Sequence, residues 1–145
     1  MDAMNHLLAL AVSFAFLALA FWHFYMAILP MSGESGAVPS VDGKPLFVPS
    51  RKSTVAVGTV LLLFAALVAA TAGIVSVGVP GVVLVWLSCA LAIGLLARAV
   101  GEFKYVGFFK RVRGSRFAKL DSLVYSPICL LLAIGVALVA LQSWA

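Results

Sequence analysis

The chain has 145 residues, 64% of them hydrophobic and only 10% charged, with a formal charge of +5. Soluble domains carry about 25% charged residues, and a domain this small buries only about two-thirds of its chain surface. A water-soluble core cannot hide so much apolar side chain, so the expected fold is all-α: a single integral membrane domain, residues 1–145, built as a bundle of about four transmembrane helices. The positive charge does not point to nucleic acid. Most of the basic residues lie in one stretch between apolar runs, which is the pattern of a cytoplasmic membrane loop.

The first apolar run covers residues 7–29, and a span needs about 20 residues. Ala18-Leu19-Ala20 has the small-x-small form of a cleavage site, but the start carries Asp2 and neither Lys nor Arg, so a retained helix is expected. Residues 30–53 form a loop. Pro30, Pro39, Pro45 and Pro49 forbid a long helix there. Asp42-Gly43 is a turn signal between two short β-leaning pieces, residues 38–41 and 46–48, which predicts a small edge-like hairpin.

The second run is 54–79. Ala65, Ala69 and Gly73 recur every fourth residue and mark a face on which another helix can approach closely. Pro80-Gly81 predicts a tight turn, after which a third run, 82–100, returns antiparallel. Residues 101–121 then interleave Phe103, Tyr105, Phe108, Phe109 and Phe117 with Lys104, Lys110, Arg111, Arg113, Arg116 and Lys119. Aromatic rings and long basic side chains both favour the headgroup layer. This aromatic-basic segment is expected to lie at the interface, with a helix over its first part broken at Gly114-Ser115. All six cations are assigned to anionic lipid headgroups. The fourth run, 122–144, begins either at Pro127 behind a bent lead-in over 121–125, since Ser126-Pro127 is a favourable cap and first-turn pair, or at Ser122 as a continuous helix kinked at Pro127.

With four spans, both termini share a side with Pro80-Gly81, where no Lys or Arg occurs. Lys44, Arg51, Lys52 and the six basic residues of 101–121 fall on the other side. The positive-inside rule places both long loops in the cytoplasm and both termini outside an inner (plasma) membrane.

Ionisable residues in apolar runs are costly and need partners. Arg98 and Glu102 stand four apart and could pair across one helical turn. Asp121 is either a cap, a salt-bridge partner of Arg98 or of the basic loop, or a carboxylate in a polar pocket. Together, His23, Arg98, Glu102, Asp121 and Tyr125 all fall toward the loop side and could gather into one polar cluster. His23 has no metal-ligand spacing around it, and Cys89 and Cys129 belong to no CxxC or Cys/His pattern. No metal and no cofactor is expected.

The strings HFYMAILP, AVPSVDGKPLFVPSRKST and RAVGEFKYVGFFKRVRGSRFAKLDSLVYSPICLLL together resemble a bacterial family of small membrane proteins, domain of unknown function 3995. The resemblance covers nearly the whole chain, and its most specific part is the aromatic-basic loop followed by Asp121, Tyr125, Pro127 and Cys129. It implies about four membrane helices and carries no activity.

No catalytic spacing is present, so a non-enzymatic protein is expected, acting through contacts with anionic lipid or with a membrane-protein partner or a second copy of itself. An intramembrane binding protein or enzyme for a small lipophilic molecule is the alternative, and would need a cavity at the polar cluster. A small transporter is a second alternative. Against it, no inverted repeat and no helix broken at mid-membrane is evident.

Overall fold

The computed structural model describes residues 3–29 and 36–144. Asp2 and Pro30, used in the sequence reading, lie outside them. The order is α1 (Ala3–Ile28), a two-stranded hairpin of β1 (Ser40–Val41) and β2 (Lys44–Pro45), α2 (Arg51–Thr71), α3 (Gly81–Val100) and α4 (Arg116–Trp144). All four helices are long and apolar enough to cross a membrane. The fold is therefore a four-helix membrane bundle. α1 packs chiefly on α2 and α3 chiefly on α4, while α4 also touches α1 and α2 and thereby joins the two pairs.

The core consists of small and branched side chains that let the helices close. Phe16, Val68, Val136 and Val139 are fully buried among Ala9, Ala65 and Ala72, and Phe16 meets Phe64 edge to face at 5.7 Å. Gly135 leaves no room for a side chain, because a Cβ there would meet Val12 Cγ2 at 2.6 Å. Two contacts pair polar side chains inside the bundle with backbone or with one another, which offsets their loss of water. Ser13 Oγ donates to the Ala65 carbonyl at 3.2 Å, and Thr71 Oγ1 and Ser88 Oγ lie 2.9 Å apart between α2 and α3. By contrast, the outer surface is apolar: Phe14, Phe21, Trp86, Ile93, Leu131 and Leu141 are all exposed. A surface of this kind is solvated by lipid tails.

Several boundaries differ from the sequence reading. α2 ends at Thr71, eight residues short of the expected limit at 79. Gly73 adopts φ 69° and the Ile74 amide turns back to the Ala69 carbonyl at 2.9 Å, so the helix is capped there. The following Ile, Val and Gly residues do not restart it. Of the proposed small-residue face, Ala65 is buried and Ala69 half-buried, but Gly73 lies past the helix end and serves as its stop. The connection to α3 is consequently longer than a tight Pro80-Gly81 turn. The hairpin forms around Asp42-Gly43 with both residues at positive φ, as the turn signal predicts. Its strands are shorter than expected, and residues 46–48 are not strand.

The largest difference is at the second loop. Residues 101–115 contain no helix. α4 starts at Arg116 on an Ser115 cap, whose Oγ accepts from the Ala118 amide at 3.1 Å, rather than at Ser122 or Pro127. Pro127 then sits well inside the helix, where it lacks an N–H and would crowd the carbonyl four residues back. The chain answers with one wide turn of π-helix, Asp121–Tyr125, in which the Ser126 amide donates to the Asp121 carbonyl.

Candidate functional site: a buried ionic clasp at the loop end

The loop-end chemistry is organised around Asp121, which is fully buried. Three groups converge on its carboxylate. Arg98 Nη2, from the last turn of α3, donates to Oδ1 at 2.8 Å. The Gly107 amide and Lys110 Nζ donate to Oδ2 at 2.7 and 3.0 Å. Lys110 is itself 1% exposed. Its ammonium also donates to the Gly107 carbonyl at 2.9 Å and to Ser122 Oγ at 2.7 Å, so all three of its protons have acceptors. An isolated ammonium or carboxylate could not be withdrawn from water this far; a fully hydrogen-bonded pair can.

The backbone is shaped to deliver these donors. Gly101 and Gly107, at φ 87° and 89°, lie against each other. A Cβ on Gly101 would run into the Val106 carbonyl, and one on Gly107 into the Val100 carbonyl. Only glycine fits both positions. Outside this crossing, the Phe108 amide donates to the Ala99 carbonyl and the Val112 amide to the Lys104 carbonyl, each at 2.9 Å. Loop 101–115 is thus folded back onto the end of α3 and locked to the first turns of α4.

The sequence-predicted cluster is only partly assembled. Arg98 and Asp121 meet. Glu102 does not join them: α3 ends at Val100 and the left-handed Gly101 breaks the one-turn spacing that would pair Glu102 with Arg98. Glu102 is exposed and its Oε1 accepts from the Tyr105 amide at 3.0 Å. His23 Nδ1 lies 2.7 Å from the Leu19 carbonyl of its own helix. Tyr125 faces the first loop, donating to the Gly36 carbonyl at 3.2 Å and stacking obliquely on Phe117.

Lys110 is the main correction. Charge type alone expects it at lipid headgroups along with its neighbours, yet it is the buried partner of Asp121. The other five cations, Lys104, Arg111, Arg113, Arg116 and Lys119, are exposed. Lys104 lies 4.9 Å from the Tyr105 ring centre, and Arg113 Nε donates to the Lys110 carbonyl at 3.1 Å. Nothing in the sequence separates Lys110 from five similar neighbours. The nearest signal is Gly107 three residues earlier, which lets one lysine curl back to its own loop.

A cleft of about 500 Å³ opens between the hairpin and residues 112–117, lined by Val38, Asp42, Gly114, Ser115 and Phe117 among others. Arg98, Glu102 and Asp121 do not line it.

The clasp and both loops fall within residues 16–136, and this stretch matches the family described as Protein of unknown function (DUF3995). The chain belongs to that family. No curated protein and no solved structure matches it. The description of DUF3995 assigns no activity, so any reading of function for this member rests on its own residues.

Proposed function

We propose that this DUF3995 member is a multi-pass protein of the inner (plasma) membrane that acts by contact with anionic lipid headgroups. In this reading, residues 30–53 and 101–115 with the start of α4 face the cytoplasm, and both termini face outward. One observation carries it. Five cations of the second loop and the start of α4 stay exposed at one end of the bundle while the sixth is spent on Asp121. Lys44, Arg51 and Lys52 are exposed at the same end, and the opposite end has no Lys or Arg. Burying Lys110 fixes the loop, and a fixed loop presents the remaining charges as a surface rather than as loose side chains. Each cation near an anionic leaflet contributes about 1 kcal/mol.

The test is reconstitution in nanodiscs of defined lipid. The protein should enrich phosphatidylglycerol over phosphatidylcholine in its surrounding shell, and the enrichment should fall as salt is raised. Equal shells at low salt would end the headgroup reading. An impermeant thiol label at Arg111→Cys, reacting only after the cell is opened, checks the orientation.

A further inference from the structure

Loop 101–115 is inverted relative to a loop bathed in water. Its Lys110 is buried, while Phe103 and Phe109 are 55% and 62% exposed. The two rings lie together, with centroids 6.4 Å apart. Phe103 adopts φ 65°, a left-handed conformation that a bulky residue keeps only when its surroundings hold it. The surroundings here do so. Glu102 caps the Tyr105 amide, the Lys104 carbonyl is bonded to Val112, and the crossing of Gly101 and Gly107 closes the base. The outward aim of the rings is therefore built into the backbone.

Rings held this way gain nothing in water. At the boundary between headgroups and acyl chains they gain burial, and cations beside them reach phosphate. Lys104 directly follows Phe103, Arg111 and Arg113 follow Phe109, and all three are exposed. At the same end of the bundle, Trp22 and Tyr25 of α1 are exposed with their rings 6.0 Å apart, which is the placing of an interfacial aromatic belt.

We propose that the Phe103–Phe109 pair is a preformed wedge seated below the phosphates of the leaflet on the loop side, an anionic leaflet, with Lys104, Arg111 and Arg113 on its headgroups. This rests on the lipid-contact reading and adds to it: the rings set the depth at which the charges are held.

The experiment uses the full chain carrying Cys89→Ala and Cys129→Ala in vesicles of phosphatidylglycerol and phosphatidylcholine. Nitroxide labels are placed singly at Phe103→Cys, Phe109→Cys and Arg111→Cys. Collision with oxygen is compared with collision with a water-soluble nickel chelate. The oxygen-to-nickel ratio should be several-fold higher at positions 103 and 109 than at 111, and equal ratios at all three overturn the wedge. Phe103→Trp and Phe109→Trp keep a ring in place and give an independent reading. Each should add fluorescence that acyl-brominated lipid quenches, beyond the signal of the native tryptophans, and unquenched added fluorescence overturns the wedge equally. Vesicles of phosphatidylcholine alone separate the two proposals. Rings equally deep in both vesicles, beside nanodisc shells without phosphatidylglycerol enrichment, keep the depth of the ring pair and sink the headgroup reading together with the cations assigned to it. Shallow rings with the preference intact do the reverse.

Discussion

Lys110 and Asp121, one from an irregular loop and one from a helix, are joined at 3.0 Å with 1% and 0% of their side chains exposed. Neither could be buried alone. Arg98 adds a second cation to the same carboxylate, so the trio keeps one net positive charge at the end of the bundle. Each member holds the others in place, and the pair ties loop 101–115 to α4 together with the Gly107 amide and Ser122.

Asp121→Asn should therefore be strongly destabilising, because it leaves two cations facing a neutral amide. A loss of about 3–5 kcal/mol is expected from uncompensated buried charge, read as the shift of the unfolding midpoint in detergent micelles. Lys110→Met should cost less, since Arg98 and the Gly107 amide still neutralise and bond the carboxylate. The double variant should fall short of the sum of the two singles. Additive losses would mean that the two groups are not coupled.

Gly107→Ala tests the backbone crossing. Its φ of 89° and its contact with Val100 leave no space for a methyl group. A cost of about 2 kcal/mol or more is expected from strain and displaced backbone, together with faster hydrogen exchange across residues 101–115. Gly114→Ala, which meets no atom within 4 Å, is the control and should change neither quantity measurably.

How much of this was legible beforehand follows from what each signal measures. Hydropathy reports the solvent of a segment, so four spans and their antiparallel order could be read directly. Local turn chemistry also spoke plainly at Asp42-Gly43. The end of α2 was missed because valine and isoleucine look equally apolar inside a helix and beyond it. The role of Lys110 was missed for a deeper reason. Charge type places a lysine near a leaflet, but only the three-dimensional crossing of Gly101 and Gly107 decides which of six cations turns inward. Arg98 with Asp121 was one of the pairings open from sequence, whereas Arg98 with Glu102 assumed a helix that Gly101 in fact ends.

Asn5 offers a stabilising change. It is 1% exposed, and both of its side-chain polar atoms lack a hydrogen-bond partner among the described residues. An unpaired buried amide costs about 1–3 kcal/mol, so Asn5→Leu should raise the thermal midpoint in micelles. A lowered midpoint would show that the amide is satisfied by something in the membrane-embedded protein.

Removing the exposed charges should separate lipid contact from folding. Lys104→Gln, Arg111→Gln and Arg113→Gln together should weaken binding of anionic lipid by about 1 kcal/mol per charge with the unfolding midpoint little changed. Lys110→Gln should behave in the opposite way. If all four acted alike, the division between surface and clasp would be lost.

The wide turn at Asp121–Tyr125 adds a residue to what would otherwise be an unbroken α-helix. One residue advances the angular phase of a helix by about 100°, so the insertion sets the carboxylate-bearing end independently of the lipid-spanning end. A kindred chain whose last helix has no such insertion would need its acidic residue four places before the serine preceding proline, instead of five, to aim it in the same direction.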